Sequence, residues 1–266
     1  MRILTAILPL FLAALPLFGQ VTITGMTLED VTITAAAVGG PTCSGDWEET
    51  FDGTGYVTAG WSETTSGTGA VDEDDSTRTE TYFSGNSLRT YATGTFSNSY
   101  TRILGGAPAY DPFYMAVSFY LDSETLDDTE NQLVLAIADS TVEALCVRLH
   151  DESGVLNLEL HYGDNCDQSS PSTTGDTYTI SLDTVYIIEV YADNVGSNTD
   201  VGGWRIFNCG SDGTSCTTTP DHTYEDSAME ILTGTADRPW LGQVSGAFYS
   251  DMYFGFMYLD SSQVCN

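Results

Sequence analysis

Arg148, His150, Glu159 and His161 fall at two-residue intervals on neighbouring runs, ALCVRLH and VLNLELHY. Side chains two apart share one face of an extended strand. A guanidinium, two imidazoles and a carboxylate on one sheet face bring a cation and a base to the same sugar. Arg148, Glu159 and His161 are therefore the set that a polysaccharide lyase or glycosidase would use. The competing reading is that alternation alone puts such a polar row on any half-exposed sheet.

The elements that must position these residues read clearly. Leu145, Val147 and Leu149 alternate in the first run, and Leu156, Leu158, Leu160 and Tyr162 in the second. Asp151-Glu152-Ser153-Gly154 separates them as a turn, so the pattern predicts a β-hairpin. With Leu149 opposite Leu156, Arg148 faces Asn157 and Cys146 faces Glu159. Glu189 and Tyr191 are expected to extend the same polar face from a neighbouring strand. Cys146 on that face fits a disulfide covering it better than an open cleft. Other expected strands are 48–51, 87–91, 100–104, 113–121, 133–138, 178–182, 185–191, 204–208 and 247–259. No convincing amphipathic helix follows the first twenty residues, and no blade-like repeat appears. The pattern predicts an all-β, antiparallel two-sheet β-sandwich or jelly roll.

Charge excludes several functions. The 266 residues hold 38 acids against 7 Arg and no Lys, a net charge of −31. Nucleic-acid binding needs cations facing phosphate, and anionic membranes ask the same, so neither is expected. Residues 1–20, MRILTAILPLFLAALPLFGQ, read as a signal peptide, and no later segment suits a membrane-spanning helix. The protein is expected to be secreted. Residues 21–42 form an extended segment or linker, in which VTIT occurs twice within 21–37. That stretch is a spacer or an assembly strand that adds to a neighbouring subunit. Residues 43–266 form the main domain. Six cysteines suit an oxidising compartment. Cys209 and Cys216 flank a short loop, Cys43 with Cys265 would join the domain's ends, and Cys146 with Cys166 is left by elimination.

The run FDGTGYVTAGWSETTSGTGAVDEDDS, then GNSLRT, resembles the opening of laminin-G-like domains of secreted and phage-encoded proteins. The order 113–121, the 144–162 hairpin, VYIIEVYAD and GWRIF is similar to that family's meander, and FYSDMYFGFMYLD to its last strand. The resemblance spans residues 47–260. It implies the concanavalin A-like jelly roll, with the last strand beside the first. Glucanases of that superfamily carry a Glu-x-Asp-x-x-Glu strand, which this chain lacks. The resemblance further implies a structural Ca²⁺ between first and last strands, at Glu49, Asp52 and Asp251. Asp72 to Asp75 reads as an acidic loop.

Sugar binding without catalysis needs aromatic platforms, and Trp61, Tyr110, Tyr114, Trp204 and Trp240 lie in or beside loop-like stretches. Gly-x-Ser-x-Gly and a nucleotide-binding glycine loop are absent. The sequence thus reads as a non-catalytic recognition or structural module for polysaccharide or glycoconjugate at a cell or matrix surface. Two alternatives stand beside it. One is a self-assembling subunit of an extracellular filament or virion, and the other is a lyase or glycosidase.

Overall fold

Leucines that alternate along the chain turn inward from two facing sheets, which fixes the architecture. The computed structural model describes residues 40–51, 61–83, 86–92, 98–103, 110–126, 131–139, 142–163, 173–193, 200–229, 238–243 and 250–266. The expected signal peptide, the 21–37 segment, Asp52 and Cys166 lie outside them. Every regular element described is a strand: β1 (Trp47–Glu49), β2 (Trp61–Ser66), β3 (Gly69–Asp75), β4 (Ser87–Ala92), β5 (Asn98–Ile103), β6 (Phe113–Glu124), β7 (Asn131–Asp139), β8 (Val142–Glu152), β9 (Val155–Tyr162), β10 (Thr173–Thr179), β11 (Val185–Asp193), β12 (Asp200–Asn208), β13 (His222–Met229), β14 (Arg238–Gln243) and β15 (Ser250–Asp260).

One sheet runs β13-β12-β11-β6-β15-β4-β3, with β1 also on β15, and the other runs β10-β9-β8-β7-β14-β5-β2. All pairs are antiparallel, and β1 pairs the last strand from Trp47↔Leu259 to Glu49↔Met257. Leu145, Val147, Leu149, Leu158 and Leu160 of the seven-stranded sheet pack on Val117, Phe119, Ile188, Trp204 and Phe254 of the eight-stranded sheet. Each such fully buried side chain contributes about 1.5–3 kcal/mol. The expected two-sheet sandwich is what forms.

The hairpin register differs from the expected one by two residues. Leu149 faces Leu158, Arg148 faces Glu159, Cys146 faces His161 and His150 faces Asn157. The reason is the turn. Ser153 and Gly154 both take positive φ (57° and 84°), giving a two-residue loop, so Asp151 and Glu152 remain in the strand. A shift of two preserves the pleat, and the polar face keeps its members.

Four strands have no counterpart among the expected ones. β2, β3 and β13 lie at sheet edges, where polar and acidic side chains discourage further pairing and erase the apolar signal. Asp72 to Asp75 therefore sits in β3, not in a loop. β14 is interior yet contains Pro239. Its pairing with β5 begins at Trp240, so Pro239 has a ladder neighbour only on β7. The strand expected at 178–182 lies earlier, as β10.

Glu189 and Tyr191 belong to β11, in the opposite sheet from the hairpin, so they do not extend its polar face. Glu189 is fully buried and anchors the C-terminus instead. Its Oε2 accepts from Val264 N (3.0 Å) and Cys265 N (2.7 Å), and its Oε1 accepts from Arg205 Nε (2.9 Å). Burial pushes the Glu189 carboxyl up, against the pull of Arg205. Disulfides join Cys43 to Cys265 and Cys209 to Cys216, and Cys146 is also disulfide-bonded.

Candidate functional site

The outer face of the seven-stranded sheet carries three successive rows from the hairpin: Cys146 with His161, Arg148 with Glu159, and His150 with Asn157. Glu159 lies between the two imidazoles. Its Oε1 is 2.9 Å from His150 Nδ1, and its Oε2 is 2.9 Å from His161 Nε2. The His161 bond does most to hold the Glu159 carboxyl down, to about 2; burial opposes it, and the His150 bond adds to it. A carboxylate this acidic, with both oxygens engaged, is a poor general acid or base at neutral pH. It orients the imidazoles instead.

The cluster is recessed. Arg148 and His161 are each 5% exposed. The side chains of His150 and Glu159 are more open, at 19% and 14%. The face therefore opens toward the Ser153-Gly154 tip. Asn157 is buried beside His150, where its Oδ1 accepts from Thr179 Oγ1 at 2.9 Å. Of the residues proposed for catalysis, Arg148, Glu159 and His161 do come together. His150 joins them, and its position two residues from Arg148 was the signal for it.

The five aromatic residues do not form one platform. Trp204 is fully buried and donates from Nε1 to Asp176 Oδ2 at 2.9 Å, so it offers no ring face to a ligand. Trp61 leans on Trp47 and Phe51 at the core margin, with centroids at 6.3 and 6.1 Å. Tyr110 packs on Phe113. Tyr114 stacks on Tyr191 over the opposite sheet, at 5.2 Å. Trp240 shares the face with Arg148 but is only 3% exposed, so the open ring there is that of half-buried Tyr100. Trp240 lies parallel to Tyr100, with centroids 5.4 Å apart and planes 5° from parallel. Two strand spacings, about 10 Å, separate β14 from β8. Tyr100 was missed because a lone Tyr in a Ser/Thr-rich run carries no signal by itself. Arg238 is two residues from Trp240 on β14, and Arg102 holds the register position opposite Trp240.

Of the residues expected to hold calcium, Asp52 lies outside the described residues, and Glu49 and Asp251 each have other partners. Both Asp251 oxygens are engaged by Arg89, at 2.9 and 2.7 Å. Glu49 is fully buried, and its Oε1 accepts from Phe51 N at 3.1 Å. Among the described residues, no group of three or more His, Cys, Asp or Glu is arranged to hold a metal ion. His222, given no role from sequence, sits 2.5 Å from Asp176 and links the edge strands β13 and β10.

No family model and no curated protein matches the sequence. Solved structures do match the fold. The chain is similar to the cellulose induced protein Cip1 at 15% identity, over 82% of this chain and 99% of that one, with a TM-score of 0.50. It is also similar to the family 7 alginate lyase A1-II′ at 13% identity (70% and 85% covered, TM-score 0.44). A third match is the CBM2 module of the evolved Dit of Lactobacillus casei BL23 phage J-1, at 9% (84% and 99%, TM-score 0.44). The likeness is one of fold, a two-sheet jelly-roll sandwich.

Proposed function

We propose that this protein recognises carbohydrate on the outer face of its seven-stranded sheet, and that its ligands are acidic sugars. One observation carries the reading. In a chain of net charge −31, Arg148, His150 and His161 gather on the face where the half-buried Tyr100 ring lies parallel to the buried Trp240. Aromatic rings suit the apolar faces of pyranose rings, and buried polar groups fix their hydroxyls. Arginine and imidazolium favour carboxylate or sulfate substituents. The state of Glu159 supports recognition over catalysis, because the one carboxylate among the cluster's described residues is held ionised by its neighbours.

The proposal includes export to a cell or matrix surface, which the disulfides and the leader-like first twenty residues support. The laminin-G-like order of strands over residues 47–260 agrees with a recognition role. The test is retention of the protein on gels containing polyuronate, sulfated or neutral polysaccharide. Retention by the acidic polymers, lost at high salt, is expected. Equal mobility in all gels would overturn the proposal.

One observation favours a lyase or glycosidase as a second reading. Glu159 engages His150 through Nδ1, and a hydrogen on Nδ1 leaves the lone pair on Nε2, the form a general base takes. Incubating the protein with each polymer and measuring new reducing ends or unsaturated sugar separates the two readings.

A further inference from the structure

The opposite sheet carries a separate cavity of about 430 Å³. Its floor is β15, where Phe256 and Tyr258 present their rings. One wall is the 41–43 segment, and the other is Tyr82. The rings are mutually tilted: Tyr82 to Phe256 is 6.3 Å at 66°, and Phe256 to Tyr258 is 4.9 Å at 42°.

The walls are fixed by chemistry on both sides. Thr42 exchanges backbone hydrogen bonds with Asn266 (3.0 and 3.2 Å), and Cys43 is tied to Cys265. Tyr82 takes a left-handed conformation, φ 79°, which a bulky residue adopts only where its surroundings impose it. Ser118 Oγ donates to its carbonyl at 3.1 Å, and Thr81 N donates to Asp212 O at 3.1 Å. A Cβ at Gly40 would meet Tyr82 Oη at 2.0 Å, so the chain approaches that ring where only glycine fits.

The electrostatics select the ligand. No arginine is among the described residues lining the cavity. Glu48, exposed on β1, is the register partner of the lining residue Tyr258; burial pushes the Tyr258 hydroxyl up, and the Glu48 charge adds to it. Three aromatic side chains line the cavity and a carboxylate stands on the adjoining strand, a combination that attracts an organic cation. We propose that this cavity is an aromatic cage for an alkylammonium group, independent of the glycan face on the other sheet.

The test is titration of the full chain with choline chloride, followed by ligand-observed NMR in buffer matched with NaCl. The comparison ligand is its uncharged carbon isostere, 3,3-dimethylbutanol. The ammonium ion is expected to bind about tenfold more tightly than the alcohol. Tyr258→Leu should abolish the difference, with folding checked by circular dichroism. Glu48→Gln, at an exposed position, should weaken ammonium binding several-fold, with folding checked in the same way. Equal binding of the two ligands, or no binding of either, would overturn the proposal. So would an ammonium response unchanged in both variants, which marks diffuse attraction to an acidic surface.

Discussion

Replacing Glu159 with Gln isolates what the imidazole–carboxylate–imidazole cluster contributes. The carboxyl lies at about 2 in the folded protein against an ordinary 4.5. At about 1.36 kcal/mol per pH decade, that difference corresponds to at most about 3 kcal/mol of stability. Partial exposure of the side chain trims this to about 2 kcal/mol. Because the folded value is depressed, the stabilisation is complete above pH 4.5 and drains away as pH falls toward 2. Urea unfolding of both proteins at pH 6 and pH 2 gives the comparison. The wild type should exceed Glu159→Gln by about 2 kcal/mol at pH 6, equivalent to about 4–8 °C in Tm for a domain of this size, and by much less at pH 2. A gap of equal size at both pH values would refute the argument, because it would come from packing and not from ionisation.

Other outcomes follow from the same structure. Arg89→Ala leaves Asp251 and the buried Asp75 without their cation and should cost about 2 kcal/mol, read as a lower urea midpoint. Replacing Cys43 and Cys265 by Ser opens a link across 222 residues and should cost about 5 kcal/mol in the chain-entropy picture. The Cys209–Cys216 link, across 7 residues, should cost about half as much, so thermal melts should rank the two double variants in that order.

The interior strands were legible because burial on one face imposes a period of two, as in Leu145, Val147 and Leu149. The polar parity of Arg148, His150, Glu159 and His161 was legible for the same reason. Pairing was not. The two-residue register shift came from positive φ at Ser153, a residue with no strong preference for that conformation, and parity is blind to a shift of two. Edge strands β3 and β13 hid behind acidic side chains that keep edges from pairing. The position of Glu189 on the opposite sheet, and the Arg89 pairing of Asp251, depend on contacts across 75 to 162 residues of chain that no local pattern encodes. Trp204 looked like a loop aromatic, yet its strand is paired on both sides and its ring fills the core.

Isothermal titration with a uronic-acid oligosaccharide and a neutral oligosaccharide of equal length decides whether the sheet face recognises acidic sugars. Heat of binding is expected with the acidic ligand, weakened by salt, together with about a tenfold loss of affinity in His150→Gln, whose side chain is more open than those of Glu159 and His161. Equal affinity for the neutral ligand, or a His150→Gln variant that binds the acidic one as well as the wild type, would contradict the proposal.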